Sequence, residues 1–444
     1  MAIPPRLKRF HDVLPADQRD GPKRDLDRIL YSSAFQRLVG ITQVISPSER
    51  RVCHNRLTHS LKVAQVGRRL AEYILTKYST GQVRNIGGID PDVVASAGLA
   101  HDLGHPPFGH AAETALQECF RQNCPRTGSF EGNAQSFRVV TRLAVRSDRF
   151  DGLDLTRATL NAILKYPWCW QGRKKPTKWG AYEEEEEEFL WARRPLPAGS
   201  EKEQTVEAEI MDTADDISYA VHDLEDFYRA GMVPLERLIR RHPVPQLSDE
   251  GTDFVSGVFT RQRGKLPASE DDLRKVFVDL LASSPVSAPY KGLRSERAAL
   301  RAFTSSLIGR YIQSAELRIG AAPGERLLLP AIYDQEIFML QQLTWHYMIL
   351  NPALSTQQQG QKHLIRELFQ YFYDAAMSGD ETRLPPKGRE MMQRLSLGGR
   401  ARRTKATCTR LASDMVCCMT EPEAQDVAHR ILGISPGSAF DRLL

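Results

Sequence analysis

The sequence predicts an all-α protein. Apolar residues recur along most of the chain at the three- and four-residue spacing of a helix face, whereas we find no convincing set of alternating strands and no internal repeat. The chain has 444 residues, of which 41% are hydrophobic and 26% are charged. A globular chain of this length and composition can bury a large core, in one large domain or two smaller ones.

The N-terminal half carries three long helical patterns. The first runs from residue 61, and Thr58 is its expected N-cap. The second, over residues 92–103, is apolar nearly all round, as expected for a buried central helix, and Gly104 is placed to end it. The third spans residues 206–227 and has its apolar residues on one face.

An irregular region separates the second and third patterns. Residues 166–180 are rich in aromatic and basic side chains. Three roles stay open for them: a cover over a bound ligand, a stacking site for single-stranded nucleic acid, and a plain surface loop, which the pattern favours. The six glutamates at residues 183–188 indicate a solvated, self-repelling segment rather than a docking site for a basic partner.

The C-terminal half begins with a polar, glycine-bearing stretch. Residues 246–265 predict a long loop or a boundary, which divides the chain into a core of residues 1–245 and a helical C-terminal region of residues 246–444. Helical patterns then resume, and a Pro-Pro pair precedes a last helical pair. The patterns cover residues 271–281, 296–314, 336–350 and 361–376.

Composition excludes several classes of protein. No stretch approaches the ~18 uninterrupted apolar residues of a membrane span, and the first residues lack the apolar core of a signal peptide, so we expect no membrane and a cytoplasmic location. The seven cysteines are scattered without a C-x-x-C pair, which argues against a disulfide framework or a zinc ribbon. The net charge of +5 suits a polyanionic substrate but is too small to indicate nucleic-acid binding by itself.

The strongest chemical signal is a cluster of histidines and an aspartate. His101, Asp102, His105 and His110 lie within ten residues, and His59 stands at the start of a helical pattern. Imidazole nitrogens and carboxylate oxygens suit a divalent ion such as Mn, Mg, Fe, Co or Ni, and the lack of a nearby thiolate argues against a structural zinc. Because an unpaired buried carboxylate is costly, we predict a metal site with hydrolytic chemistry.

A further carboxylate ligand is expected from the third helix. Asp215, Tyr219 and Asp223 are spaced four residues apart and therefore line one stripe of that helix. Asp212 and Asp216 lie on a neighbouring stripe, and they stay open as alternative ligands.

The order H…HD…D resembles the signature of the HD-domain metal-dependent phosphohydrolases. The longer strings RLTHSLKVAQVGR, AGLAHDLGHPPFGHAAE and DDISYAVHDLED resemble one branch, the deoxyguanosine triphosphate triphosphohydrolases, which split a deoxynucleoside triphosphate into deoxynucleoside and tripolyphosphate. The resemblance runs from Asp25 to Glu421, with little match over residues 246–330. It implies an HD-domain helical fold with additional C-terminal helices, and an enzyme for which dGTP is the first expected substrate.

The resemblance also implies roles at the metal. The implied metal ligands are His59, His101, Asp102 and Asp215. Two imidazoles and two carboxylates leave open positions on an octahedral ion for water and a phosphate oxygen. His110 and Glu113 match the pair that activates the attacking water, and His105 matches a histidine near the α-phosphate that protonates the leaving oxygen.

Four further residues match substrate contacts of the same family. Arg56 matches an arginine that binds phosphate oxygens, for which its planar fork is suited. Gln43, Tyr219 and Asp223 match positions around the sugar. A tyrosine ring packed against the 2′ carbon would exclude a ribose hydroxyl, and an Asp or Gln would bind the 3′-hydroxyl.

The resemblance also implies binding partners for the chain, and alternative functions stay open beside the hydrolase. The resemblance implies a homohexamer or another oligomer, with the C-terminal region completing part of the active site and supplying the interface, and an effector nucleotide or single-stranded nucleic acid at a separate site. Glu421-Pro422 stands where the family often has an aspartate. The alternatives are another HD phosphohydrolase, acting as a nucleotidase or phosphodiesterase, and a nucleotide or nucleic-acid sensor with a dormant site. The complete ligand set and the His110–Glu113 pair count against dormancy.

Overall fold

The structure is a computed structural model, and it describes most of the chain. The described residues are 4–11, 17–43, 54–172, 177–194, 196, 200, 202–262, 268–322, 324–349, 352–396 and 403–437. Helices dominate these residues, and the all-α prediction is confirmed. None of the described helices combines the length and the apolar character that a membrane crossing requires.

The α-helices are numbered in chain order. They are α1 Gly21–Leu30, α2 Ser33–Arg37, α3 Arg56–Lys77, α4 Thr80–Asn85, α5 Pro91–Ala100, α6 His110–Asn123, α7 Gly132–Arg138, α8 Arg157–Ile163, α9 Glu186–Arg193, α10 Val206–Arg229, α11 Asp249–Arg261, α12 Glu270–Ser283, α13 Arg294–Ser314, α14 Ala331–Thr344, α15 Pro352–Ser378, α16 Pro386–Ser396, α17 Lys405–Cys417 and α18 Glu421–Ile431.

Shorter elements connect these helices. Single 3₁₀ turns cover Pro5–Leu7, Leu38–Gly40, Glu183–Glu185, Leu235–Arg237 and Glu381–Arg383, and π-helical turns cover Val139–Leu143 and Trp345–Ile349. Two antiparallel pairs of two-residue strands are β1 Ile239–Arg240 with β2 Gln246–Leu247, and β3 Glu316–Leu317 with β4 Leu327–Leu328.

Three large hydrophobic clusters fill the interior of the described chain, and a small fourth one holds Ala134, Trp170, Trp179 and Tyr182. One joins α3, α4 and α10 to α11–α14, a second joins α1, α2, α5, α8 and α9, and a third joins α6 to α15–α18. The first cluster crosses residue 245, so the two predicted regions share a core, and the boundary between them stays a prediction.

Small residues let α3 and α5 approach closely. A Cβ atom on Gly98 would lie 2.8 Å from the Cα of Ala64, and one on Gly67 would lie 2.9 Å from a methyl group of Val94. Because interiors are close-packed, larger side chains at these glycines would push the helices apart. The close contact sets the start of α3, which carries His59, beside the end of α5, which precedes His101.

Three predicted helix boundaries are wrong. The first pattern begins earlier than predicted, because the side chain of Asn55, and not that of Thr58, caps α3 by accepting from the Thr58 amide. Helix α5 ends at Ala100, and Gly104 serves a close approach instead: a Cβ there would lie 2.1 Å from the Ser136 nitrogen. Within residues 246–265, α11 replaces the predicted loop, since its few apolar residues lie on one buried face.

The prediction of a solvated glutamate run is confirmed for four exposed glutamates, at residues 183, 184, 186 and 187, but it is wrong for Glu185. Glu185 is fully buried, and its carboxylate pairs with Arg138 and lies 3.4 Å from the Nε of Arg142. Glu184 pairs with Arg410 at 3.3 Å. These arginines come from segments distant in the sequence, so the composition of the run alone does not reveal that its charges are neutralised inside the fold.

Candidate active site

One cavity of about 620 Å³ collects most of the predicted site residues. Its wall is built from the start of α3, the turn after α5, the start of α6 and the middle of α10. The C-terminal region closes another side with side chains from α14, α15 and the π-turn between them. These are Gln341, Trp345, Leu354, Gln357, Gln358, Gln361 and Lys362.

Three buried side chains form a compact group of possible metal ligands at the base of this cavity. His59, His101 and Asp102 each place one ligand atom within 4.8 Å of the others. Asp215 adds a carboxylate, because its Oδ1 lies 3.0 Å from Nε2 of His59 and 3.6 Å from Nε2 of His101. Two imidazoles and two carboxylates converging on one point form a donor set that suits a hard or borderline divalent ion.

The tautomer of His101 supports this fit. Its Nδ1–H donates a hydrogen bond to the carbonyl of Gly98 at 2.8 Å, so Nε2 of the neutral ring carries the lone pair. That Nε2 atom is buried and has no hydrogen-bond partner among the described residues. A buried acceptor without a partner is costly, and a backbone hydrogen bond behind a histidine is the usual way to orient a metal ligand.

The structure distinguishes between the three aspartates of α10. Asp212 pairs with Lys165 and accepts a hydrogen bond from Gln204, whereas Asp216 accepts one from Gln341 at 3.1 Å. Only Asp215 among these three has its carboxylate beside His59. The alternative ligands that the sequence left open therefore point elsewhere.

Both carboxylates of the group are held in the charged form. Burial acts to raise the pKa of Asp102, but Arg56, which donates to Oδ2 at 2.7 Å, and the neighbouring histidines hold that pKa well below its usual range. Burial likewise opposes ionisation of Asp215, yet His101 and Lys165 lower its pKa. Two anionic ligands are therefore ready for a cation at neutral pH.

A second group of side chains lies next to the first. Nδ1 of His110 lies 2.7 Å from Oε2 of Glu113, and His105 stands between Asp102 and Glu113, with its two ring nitrogens 3.0 Å and 3.6 Å from them. Burial acts to raise the pKa of Glu113, but His105 and His110 lower it to about 2. The carboxylate is thus charged and accepts the Nδ1–H of His110, which leaves the Nε2 lone pair available to take a proton.

The predicted sugar contacts are only partly brought together. Gln43 and Tyr219 line the cavity, and the Oε1 of Gln43 is buried without a hydrogen-bond partner among the described residues. Asp223 is buried one helical turn beyond Tyr219 and does not line the cavity. Burial and the nearby Asp226 raise its pKa well above its usual range.

Glu421 joins the C-terminal region to two loops of the site. Its carboxylate accepts hydrogen bonds from the Thr42 amide and hydroxyl at 2.8 and 2.7 Å, and from the Phe108 amide at 3.1 Å. Phe108 has a positive φ of 67°, and Gly109 one of 53°, so this strained turn needs support. The family departure noted at this position therefore carries a structural role, since it holds Gln43 and the start of α6 in place.

We expect Glu421→Ala to lower the free energy of unfolding by about 2 kcal/mol, because it leaves two amides and a hydroxyl without their charged acceptor. Urea titration followed by circular dichroism measures the loss. Glu421→Gln has the same shape and keeps one oxygen as a hydrogen-bond acceptor, so it should lower the free energy of unfolding by about half as much or less. Equal stability of the alanine variant and the native protein would contradict the bracing role.

Some cavity residues were not anticipated from the sequence, whereas others belong to the aromatic-basic stretch, for which a role as a cover was left open. Lys165 lies 3.5 Å from Asp215, and Tyr166 and Lys178 line the cavity beside it. All three border or belong to the aromatic-basic stretch, whose residues 173–176 lie outside the described chain. Trp170 and Trp179 of that stretch are buried and therefore do not offer a stacking surface. The glutamines of α14 and α15 gave no signal, because only tertiary packing brings them to the cavity.

Comparison with known proteins identifies relatives along nearly the whole chain. Residues 56–220 match the HD domain, and residues 327–430 match the phosphohydrolase-associated domain. A "deoxyguanosinetriphosphate triphosphohydrolase-like protein" of Corynebacterium efficiens is 33% identical over 440 residues, covering 94% of this chain and 93% of the relative. A protein of the same name from Streptomyces coelicolor is 34% identical over 442 residues, covering 94% of each chain.

One solved structure is more distant. A crystal structure of a hypothetical protein from Aquifex aeolicus aligns with 65% of this chain and 69% of its own, at 19% identity and a TM-score of 0.26. A similarity this low has no bearing on the fold or the site.

Proposed function

This chain belongs to the deoxyguanosinetriphosphate triphosphohydrolase-like proteins of the HD-domain family, which makes it a metal-dependent phosphohydrolase, and from that premise we propose that it hydrolyses deoxynucleoside triphosphates. Water attacks the α-phosphorus, the bond to the 5′-oxygen breaks, and deoxynucleoside and tripolyphosphate leave. We take dGTP as the first substrate to test.

One observation carries the proposal. The group of possible metal ligands and His110 line a single cavity, in which Glu113 is hydrogen-bonded to His110 and His105 lies between Asp102 and Glu113. A water-activating pair within reach of a metal-bound phosphate is what a hydrolase requires and what a binding protein has no use for. The cavity, at about 620 Å³, has the volume of a site for a ligand of nucleotide size.

We propose that His59, His101, Asp102 and Asp215 hold one divalent ion. When bound, such an ion supplies Lewis-acid stabilisation of the charge that develops on the α-phosphate. Mn and Mg are the first ions to test, and Fe, Co and Ni suit the same donors. Arg56 orients Asp102 through Nη1, and its guanidinium also lines the cavity, where it can bind a phosphate oxygen.

The proton transfers fall to the second group. His110 accepts the proton of the attacking water at Nε2, because Glu113 fixes the proton of the ring on Nδ1. His105 lies nearer to the metal ligands, and we propose that it hydrogen-bonds to the leaving 5′-oxygen and delivers a proton to it. Lys165, close to Asp215, adds positive charge to the same wall.

Tyr219 is proposed to select deoxyribose by occupying the space of a 2′-hydroxyl. Tyr219→Ala should raise the ratio of kcat/KM for GTP to that for dGTP by about 10- to 100-fold, because exclusion of one hydroxyl by shape contributes about that much. Tyr219→Phe keeps the ring and should keep the native ratio. A ratio that rises equally in both variants would assign the selectivity to the phenol hydroxyl instead.

The 3′-hydroxyl contact is proposed for Gln43, whose Oε1 is buried at the cavity wall and has no hydrogen-bond partner among the described residues. Asp223 would then act through Tyr219, whose pKa is raised by burial and by the nearby Asp223 carboxylate. This assignment modifies the expectation that Asp223 itself contacts the sugar.

Product analysis tests the proposal. Each of the four deoxynucleoside triphosphates is incubated with the full chain in Mn or Mg, and the products are separated by ion-exchange chromatography. Deoxynucleoside and tripolyphosphate in equal amounts would support the proposal and reveal the preferred base. Release of phosphate or pyrophosphate would assign another HD phosphohydrolase activity. Binding without turnover in any metal, alone or in nucleotide mixtures, would assign a sensor.

Assembly, effector and location remain part of the proposal. We infer that the chain forms a homohexamer or another oligomer, that a nucleotide or single-stranded nucleic acid acts at a separate site, and that it works in the cytoplasm. Mass photometry at increasing protein concentration, with and without dGTP, measures the assembly. A monomer under all conditions would contradict the expected interface in the C-terminal region.

A further inference from the structure

A second cavity of about 260 Å³ lies outside the residues that line the candidate active site. Its wall is formed by the 3₁₀ turn Pro5–Leu7, the end of α4, the starts of α8 and α10, and the chain before β4. Four arginines line it, namely Arg6, Arg84, Arg157 and Arg326. Nothing in the proposed hydrolysis uses them.

Arginines outnumber carboxylates in the described lining of this cavity. Glu203 and Glu207 are the acidic residues among the described part of its lining. Arg6 neutralises Glu207, because its Nη2 donates to both carboxylate oxygens at 2.6 and 2.5 Å. Among the described residues of the lining, three guanidinium groups therefore remain for one carboxylate, on the exposed Glu203, while Glu209, outside the lining, adds negative charge beside Arg326. The unbalanced charge in this cavity is positive.

Arg157 is the most informative of the four. The residue is 9% exposed, its guanidinium stacks over the ring of Trp191 at 4.2 Å, and its Nη1 donates a 3.4 Å hydrogen bond to the Pro5 carbonyl. Its Nε is buried without a hydrogen-bond partner among the described residues, and no described carboxylate lies within ion-pair distance. A buried cation without a counter-ion is costly, so this arrangement favours a bound anion.

Two further features converge on the same space. Arg326 donates from Nη1 to the Ile86 carbonyl at 2.9 Å, while its Nε is buried without a partner among the described residues. Helix α10, 24 residues long, contributes Thr205, Val206 and Glu207 from its first turn to the lining. Glu207 and Glu209 in this first turn balance part of the positive end of the helix dipole, so the arginines supply most of the attraction for an anion.

We propose that this second cavity binds a small phosphate-bearing anion, with Arg157 and Arg326 contacting the phosphate oxygens and Arg84 closing the site from the exposed edge. A planar guanidinium donates two parallel hydrogen bonds to phosphate, and three such groups match the charge of a pyrophosphate or a phosphate ester. The volume, less than half that of the candidate active site, suits such a ligand rather than a whole nucleoside triphosphate.

The two cavities share a wall. Gln204 lines the second cavity, and its side-chain amide donates to the Lys165 carbonyl at 3.0 Å and to Asp212 at 3.1 Å. Lys165 in turn lines the candidate active site. Because both cavities attract phosphate, a test must separate the two binding events.

The test is calorimetric titration of the full chain with inorganic pyrophosphate in the presence of a chelator. The double variant Arg84→Gln/Arg326→Gln should weaken one binding event by at least about tenfold, since it removes charge-assisted hydrogen bonds. The matched control Arg121→Gln/Arg297→Gln removes the same charge from exposed positions outside both linings and should bind as the native protein does.

The outcomes are distinct from those of the hydrolysis assay. No binding of pyrophosphate by the native protein, or equal affinity of the double variant and the native protein, would overturn the proposal. An equal loss in the control variant would also overturn it, because the effect would then come from overall charge. Product analysis is measured separately, so failure at this cavity leaves the proposed hydrolysis standing.

Discussion

Replacing Asp102 with asparagine is expected to lower the rate of dGTP hydrolysis by at least about 1,000-fold, because a catalytic ion supplies several kcal/mol of transition-state stabilisation. The Asp102 carboxylate is buried, and its Oδ1 lies 3.5 Å from Nε2 of His101 and 3.0 Å from Nδ1 of His105. Asparagine keeps the shape and the acceptor for Arg56 but removes the charge that a divalent ion requires. Measured kcat and bound metal per chain should fall together.

The matched control for this substitution is Asp92→Asn. Asp92 lies near the start of α5, the helix that precedes Asp102, and it pairs with Arg68 away from the cavity. The activity and metal content of the Asp92→Asn variant should equal those of the native protein, and circular dichroism should show that both variants fold. Chelation of the native protein should reproduce the Asp102→Asn result. Full activity after chelation would show that hydrolysis does not use this group of residues.

The sequence predicted the fold where apolar residues form a clear helical stripe. Helix α10 is the best case, because every residue of its predicted apolar face is buried, namely Ile210, Ala214, Ile217, Val221 and Leu224. Helix α11 was missed because its polar composition hides a short buried stripe of Phe254, Val255 and Val258. The start of α3 was misplaced because Asn55 and Thr58 are both suitable N-cap residues. A tertiary contact accompanies the earlier start, since the backbone amide of Arg56 donates to the distant Ile41 carbonyl at 3.0 Å.

The residue types of the site were visible in the sequence, but their arrangement was not. Histidines and an aspartate within ten residues indicate a metal whatever the fold. Choosing among the three aspartates of α10 required tertiary contacts, since Lys165, Gln204 and Gln341 occupy the two that point away. The role of Glu421 was likewise hidden, because its three hydrogen bonds reach loops more than 300 residues earlier in the chain.

His110→Gln is expected to lower kcat for dGTP hydrolysis by about 100- to 10,000-fold, the contribution of a positioned general base. The side chain of His110 is 75% exposed, so the substitution should leave the stability of the fold unchanged. Glu113→Gln should lower kcat by a smaller factor, about 10- to 100-fold, because the imidazole remains but loses the carboxylate that fixes its tautomer. Single-turnover rates with saturating metal measure both effects on the chemical step.

The chain offers a matched control in a second histidine–glutamate pair. His363 and Glu367 lie one helical turn apart on α15, with Nδ1 of the histidine 3.9 Å from Oε1 of the glutamate and the histidine side chain 65% exposed. His363 does not line the cavity, so His363→Gln should keep the native rate. If His363→Gln lowered the hydrolysis rate as much as His110→Gln, removal of any exposed imidazole would impair the enzyme, and the effect would not be specific to His110. A native rate in His110→Gln would instead require a different group, with His105 the nearest candidate, to take the proton of the attacking water.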